Sequence, residues 1–236
     1  MRALPRKAPT RDDLIAARER IAPWVHRTPI VTCRAIDEIT GAHLFFKCEN
    51  LQKVGAFKAR GAANHVLAQA PETVASGVVT HSSGNHAQAL ALAARNRGVP
   101  AHIVMPNSAP AVKRAAVAGY GAEITLCEPT LEARESTARE VIERTGAHFV
   151  HPYNDALIIA GQGSAAAEVF EDVPDLDVIV APVGGGGLLS GTALSARYLA
   201  PSVTVWGAEP AGASDAYRSL SEGRLVPSVR PETMAD

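Results

Sequence analysis

The sequence predicts an α/β fold of two open parallel-sheet lobes, and three observations carry that expectation. From Gly77 onward, short apolar strands alternate with helical stretches of roughly ten to fifteen residues, the pattern of βαβ units. The strongest of these strands, Asp177–Val183, is apolar enough to be buried on both faces, as parallel strands are. With 236 residues, 47% of them hydrophobic, the chain has material for two lobes around sizeable cores.

The elements follow in order. Thr10 with Asp13 three residues on reads as a capped helix start, and Leu14, Ile15, Arg18 and Ile21 continue the helix until Pro23 ends it. The regular alternation opens with strand Gly77–Thr80, the loop Ser82-Ser-Gly-Asn-His86 and an alanine-rich helix Ala87–Asn96 stopped by Gly98. Strand Ala101–Met105, helix Ala111–Ala118, strand Glu123–Cys127, helix Leu131–Thr145 and strand His148–His151 repeat the cycle. A helix from after Asn154 to about Phe170 precedes strand Asp177–Val183. Four glycines, a helix Leu188–Tyr198 and strand Val203–Ala208 complete it. The seam between lobes is expected near Tyr153, with residues 1–75 and 152–236 forming a large domain and 76–151 a small one.

Composition excludes several classes of function. Lys and Arg total 23 against 24 Asp and Glu, a formal net charge of −1, which gives no footing for a nucleic acid or an anionic membrane. Three widely spaced cysteines, Cys33, Cys48 and Cys127, form neither a disulfide framework nor a zinc motif and read as reduced thiols. The N-terminus carries charges and prolines where a signal peptide needs an apolar stretch. No run of about 18 apolar residues is present to span a membrane. A cytoplasmic location is expected.

Two strand-to-helix junctions carry chemistry, because helix N-termini at the carboxyl ends of strands present unpaired N–H groups. Gly184-Gly185-Gly186-Gly187 is either a tight turn or a cup for an anion. Four consecutive glycines exceed what a turn requires and favour phosphate. The run lacks the Gly-Lys-Ser/Thr of a P-loop, and Leu189 stands where a dinucleotide fingerprint needs its third glycine. Ser82–His86 offers two hydroxyls, an amide and an imidazole beside a positive helix end, equally suited to a carboxylate ligand or to ordinary helix capping. Lysine is scarce, at 7, 47, 53, 58 and 113. Lys58, flanked by apolar residues at a helix start, is either a plain surface lysine or an amine with a destabilised ammonium form, as imine chemistry requires.

Together, Glu49-Asn-Leu-Gln-Lys-Val-Gly-Ala-Phe-Lys-Ala-Arg-Gly61, His81-Ser-Ser-Gly-Asn-His86 and Val183-Gly-Gly-Gly-Gly-Leu188 resemble the pyridoxal-phosphate enzymes of fold type II. The branch they resemble is that of serine racemases and serine/threonine dehydratases, whose architecture is tryptophan synthase β-like. Ala160-Gly-Gln-Gly163, Ala208-Glu-Pro210 and Pro231-Glu-Thr-Met-Ala-Asp236 support the resemblance along nearly the whole chain.

The resemblance implies roles residue by residue. Lys58 would form the Schiff base with pyridoxal 5'-phosphate and later act as base at the substrate Cα. Phe57 would pack near the ring, Asn85 would bond the ring hydroxyl, and Gly184, Gly185, Gly186, Gly187 and the Leu188 N–H would hold the phosphate. Ser82, Ser83, Asn85 and His86 would grip the carboxylate of a small amino acid. Ser83 would be the second acid/base, opposite Lys58, that racemisation demands. Glu209, Ala213 and Asp215 match a divalent-cation site whose all-oxygen ligands suit Mg2+, Mn2+ or Ca2+. The implied reaction is β-elimination from serine or threonine to a 2-oxo acid and ammonia, with racemisation of serine at the same site. The alternatives are a 3-hydroxyaspartate dehydratase and a catalytically silent protein of the same fold; a homodimer is implied. A nucleotide site in some relatives matches Gln88 and Tyr120.

Two departures qualify the match. Tyr153 stands where the mammalian racemase pattern has asparagine and leans towards the dehydratases. The chain stops at Asp236, inside the Pro231–Asp236 motif. A second glycine-rich loop, the residue facing the pyridine nitrogen and further strands of the large lobe are therefore expected to be lacking. Weaker cofactor retention and exposed apolar surface are the expected consequences.

Overall fold

The computed structural model describes residues 7–228 and residue 233, so the Pro231–Asp236 stretch lies, but for Thr233, outside the described residues. Helix α1 (Arg11–Ile21) begins with the expected capping box: the Thr10 hydroxyl accepts the Asp13 N–H, and the Asp13 carboxylate accepts the Thr10 N–H. The next fifty residues hold elements that the hydrophobic pattern did not resolve. They are strand β1 (Ile30–Val31), helix α2 (Arg34–Thr40), strand β2 (Phe46–Lys47), 3-10 turns at Glu49–Leu51 and Lys53–Gly55, helix α3 (Lys58–Ala68) and a further 3-10 turn at Pro71–Val74. β1 and β2 pair antiparallel.

From there the structure follows the alternation: β3 (Val78–His81), α4 (Asn85–Arg97), β4 (Ala101–Pro106), α5 (Ala111–Gly119), β5 (Glu123–Cys127), α6 (Leu131–Thr145), β6 (His148–Phe149), α7 (Ala156–Asp172), β7 (Val178–Pro182), α8 (Gly187–Leu199), β8 (Thr204–Ala208) and α9 (Asp215–Glu222). Several boundaries shift by one or two residues from the sequence reading, and two of the shifts bear on the site. α4 starts at Asn85, so Asn85 and His86 belong to its first turn rather than to the loop before it. β6 stops at Phe149, because the His151 side chain draws the following backbone into a turn.

β5-β4-β3-β6 form a four-stranded sheet, parallel throughout. Both faces are covered, which explains why its strands are apolar at successive positions. Val78, Ile103 and Met105 pack with Ala62 and Val66 of α3 and Leu90 and Ala94 of α4. Their neighbours Val79 and Val104 face the other way, against Ala138 and Val141 of α6. β7 and β8 form a second parallel pair, in which Val180 and Trp206 sit opposite one another, 56% and 58% exposed. One face of β7, the strand whose apolar run predicts burial on both sides, is therefore open among the described residues.

α7 is the hub of the remaining helices, buried without interruption from Ile158 to Val169. Glycines bring its backbone onto its neighbours. A Cβ on Gly161 would lie 2.6 Å from the Gly61 Cα of α3, and one on Gly191 of α8 would lie 2.5 Å from the Ile159 carbonyl oxygen. Helix α3, with Lys58 at its head, is thus held against a rigid partner.

Candidate active site

β3 and β6 are neighbours in space although β4 and β5 lie between them in sequence. The path of the chain reverses at that point, and the crevice beyond the carboxyl ends of such strands is where open parallel sheets bind ligands. The segments leaving β3 and β6 are Ser82–His86 and the loop 150–154.

The first segment leads into α4, whose N-cap is Gly84, so no side chain occupies the helix end. By contrast Thr10, Thr130 and Asp155 cap α1, α6 and α7 with side-chain oxygens. Ser82 and Ser83 are half-buried here, Asn85 is exposed, and the Ser82 hydroxyl accepts the Gly84 N–H at 3.3 Å. The His86 imidazole turns inward. It is 2% exposed, and neither ring nitrogen makes a well-formed hydrogen bond among the described residues, although the Val150 backbone lies close. Burial, reinforced by the charge of Lys58, holds its pKa well below the ordinary value. The group His86 presents at the helix end is therefore its backbone N–H rather than its ring.

Lys58 is the first residue of α3. The turn before it contains Val54 at φ +59°, the one non-glycine residue with positive φ among the described residues. A β-branched side chain there stores about 1–3 kcal/mol of strain. The Lys58 ammonium donates to the Pro152 carbonyl at 2.8 Å and lies 5.3 Å from the centre of the Phe57 ring. Desolvation lowers its pKa to about 8.

Two residues on, Arg60 is wholly buried. Its guanidinium donates to Glu49 at 2.8 Å from both Nε and Nη2, and to the two carboxylate oxygens of Glu168 at 2.7 and 2.9 Å. Lys47 completes the group, 2.6 Å from Glu168. Burial opposes the Arg60 charge, but the bonds to both carboxylates outweigh it and raise its pKa. Two cations and two carboxylates balance, and they tie the β2 end, the following turn and the head of α3 to α7.

The glycine loop leads into α8, where Gly186 at φ +83° is the N-cap and again no side chain caps the helix. A Cβ on Gly185 would fall 2.2 Å from the Tyr153 ring, and one on Gly187 would fall 3.1 Å from the Tyr153 carbonyl oxygen. The glycine run therefore answers two demands. Gly186 supplies the backbone conformation, while Gly185 and Gly187 admit the tyrosine.

Lys58 and Gly184–Leu188 are joined through the loop 151–154, which touches Lys58 on one side and the glycine loop on the other, and Lys58 is near enough to His86 for its charge to act on the imidazole. Glu209, Ala213 and Asp215 lie at the carboxyl edge of β7 and β8, one strand over. Both Glu209 carboxylate oxygens accept N–H groups at the start of α9, from Ala216 at 3.1 Å and Tyr217 at 2.7 Å. Among the described residues no cluster of three or more His, Cys, Asp or Glu side chains is placed to hold a metal. Tyr120 lines a cavity of about 290 Å³ with Ala91 and Arg95.

The donor set fits pyridoxal phosphate. A desolvated amine suits its aldehyde, and an uncapped helix end behind a glycine loop suits its phosphate. Arg60, His151 and Tyr153 are the residues that sequence reasoning left without these positions. Arg60 binds partners scattered along the chain, so no spacing reveals them. His151 and Tyr153 follow strand β6 at the carboxyl edge of the sheet, which is the signal that marks them.

Comparison with known proteins gives the family. Residues 21–236 match the family model of pyridoxal-phosphate dependent enzymes. The chain is 52% identical over 228 residues to beta-hydroxyaspartate dehydratase of Paracoccus denitrificans (strain Pd 1222), covering 97% of this chain and 72% of that protein. It is 48% identical over 229 residues to serine racemase of Dictyostelium discoideum, covering 96% and 71% respectively. The structure of maize serine racemase superposes with a TM-score of 0.96 at 48% identity, over 98% of this chain and 70% of that one. A threonine deaminase from T.th. gives 0.91 at 45% identity, over 97% and 74%. No described helix is long and apolar enough to cross a membrane. The site and these similarities agree that the chain belongs to the pyridoxal-phosphate dependent enzymes of fold type II.

Proposed function

We propose that the chain carries out pyridoxal-phosphate-dependent β-elimination on a small β-hydroxy amino acid, serine or threonine, giving a 2-oxo acid and ammonia, with racemisation of serine at the same site. The observation that carries this reading is the Lys58 amine. It is desolvated to a pKa of about 8, and it is bound by the loop that also packs against the uncapped glycine-loop helix.

The cofactor, when bound, supplies the electron sink that makes the substrate Cα–H acidic. Lys58 would hold its aldehyde, Phe57 would flank its ring, Asn85 would bond its ring hydroxyl, and Gly184–Gly187 with the Leu188 N–H would hold its phosphate. Ser82, Ser83, Asn85 and the His86 N–H grip the substrate carboxylate at the positive end of α4. Lys58 takes the Cα proton. With a pKa near operating pH it exists partly as free amine, as a general base must. The β-hydroxyl leaves with a proton as water, and the released enamine hydrolyses to the 2-oxo acid and ammonia. Ser83 delivers or removes the proton on the opposite face in racemisation.

Residues 76–151 form the substrate-side domain in this reading, and residues 1–75 with 152–236 the cofactor-side domain. Glu209, Ala213 and Asp215 would take Mg2+, Mn2+ or Ca2+. The resemblance also supports a cytoplasmic homodimer. A second reading, dehydration of 3-hydroxyaspartate, is favoured by the 52% identity to the Paracoccus dehydratase.

Mixing the protein with pyridoxal phosphate, treating it with borohydride and mapping its peptides tests the core of the proposal. A visible band that reduction converts to a pyridoxyl group on Lys58 is expected, and absence of modification there refutes it. Assaying 2-oxo acid release from serine, threonine and 3-hydroxyaspartate then separates the two readings.

A further inference from the structure

The loop 151–154 is closed on itself by its own first side chain. His151 Nδ1 accepts the backbone N–H of Asn154 at 2.9 Å and faces that of Tyr153 at 3.3 Å. A nitrogen that accepts N–H bonds carries a lone pair, so the ring is neutral with its proton on Nε2. The turn so closed fixes two things at once. The Pro152 carbonyl is aimed at Lys58 Nζ, 2.8 Å away. The Tyr153 ring stands edge-on to the imidazole, 4.6 Å between centroids, and against the Gly185 backbone.

We propose that His151 is a positioning residue, whose Nδ1 acts as a hydrogen-bond acceptor that closes the 151–154 turn and thereby sets both the resting place of the Lys58 amine and the contact of Tyr153 with the glycine loop. The inference rests on the proposed function only in taking Lys58 as the reacting amine. Nδ1 of histidine and Oδ1 of asparagine are separated from Cα by the same number of bonds. Asparagine commonly closes turns of this kind by accepting a backbone N–H two residues on. His151→Asn therefore keeps the acceptor, whereas His151→Leu keeps apolar bulk and removes it.

The test uses the protein without added cofactor, so it does not depend on activity. Competitive acylation of lysines across a pH series, read by mass spectrometry, gives the titration of Lys58. Amide hydrogen exchange reads the Tyr153 and Asn154 N–H groups. The wild type should titrate near 8 with Asn154 protected, and His151→Asn should match it. In His151→Leu the turn opens and water reaches the amine. Asn154 exchange should accelerate at least about tenfold, and Lys58 should titrate at least about one pH unit higher, towards an ordinary lysine. Unchanged exchange and Lys58 titration in His151→Leu would overturn the proposal, as would equal losses in His151→Asn and His151→Leu. Failure of borohydride to label Lys58 in the wild type would refute the proposed function and leave this result standing.

Discussion

Lys58 combines two demands that oppose each other in solution: an amine partly deprotonated near neutrality, and one held at a fixed place. Burial meets the first and the Pro152 carbonyl the second. Residue types marked the lysine and both helix-end loops as candidates while leaving a plain structural reading open for each, because small and hydrogen-bonding residues serve anion binding and ordinary capping alike; the family resemblance chose between them. The reason for four glycines was legible only in part, since the partner of Gly185 is Tyr153, which no local pattern reveals. Ser83 carries the test of reaction type. Ser83→Ala is expected to lower the rate of serine racemisation at least about a hundredfold, the scale of a lost general acid or base, while leaving 2-oxo acid release within a fewfold of wild type. Chiral analysis of residual serine beside a keto-acid assay measures both. Loss of neither activity would remove Ser83 from the two-base role.

At the scale of elements, the βαβ alternation was legible because strands covered on both faces leave an unmistakable apolar run. Residues 24–76 were not, since their two-residue strands and 3-10 turns take their shape from distant partners. The Gln52 side chain, for example, accepts the His26 N–H and donates to the His26 carbonyl, at 2.9 and 2.7 Å. The buried quartet around Arg60 is the strongest such tie. Arg60→Leu leaves Lys47 as the one cation for two carboxylates and takes from Glu49 its charged partner, and it is expected to cost about 3–5 kcal/mol in urea unfolding. The α3–α7 contact gives an independent test. A Cβ on Gly61 would meet the Gln162 side chain at 2.5 Å and the Ile158 carbonyl oxygen at 2.8 Å. Gly61→Ala should therefore destabilise by about 1–3 kcal/mol, read in the same measurement.

At the scale of the molecule, histidines wholly or partly withdrawn from water set the response to acid. His81, His86, His148 and His151 all have pKa values lowered, in each case chiefly by burial. Around His151 the charges of His81 and Lys58 act in the same direction, and those of Asp155 and Glu135 against it, leaving its pKa at about 4. The unfolded chain, whose histidines titrate near about 6.5, binds more protons than the folded one below that pH. Stability should therefore fall as pH drops through about 6.5 and go on falling towards about 4. Glu171, held at about 2 chiefly by its hydrogen bond to Arg18, extends the loss below the ordinary carboxylate range. Urea midpoints at pH 7.5, 6, 5 and 4 should decline in order, and a flat profile between 7.5 and 5 would contradict the histidine assignment. Lys58 acts in the same sense at the alkaline end. Its folded pKa of about 8 lies below that of a free lysine, so stability should rise modestly from about pH 8 to 10.

The backbone contacts that α7 makes with α3 and α8 also bear on how such a chain can diverge. Where two helices touch with only hydrogens between them, no larger side chain can be tried at one position and tolerated by adjustment at another. Positions 61, 161 and 191 should stay glycine through any gradual drift that preserves the fold. Novelty must then arise away from the hub, in the loops at the carboxyl edges of the sheets. A library that randomises those loops while leaving the glycine crossings untouched would retain folded members, and it is there that altered substrate preference should be sought.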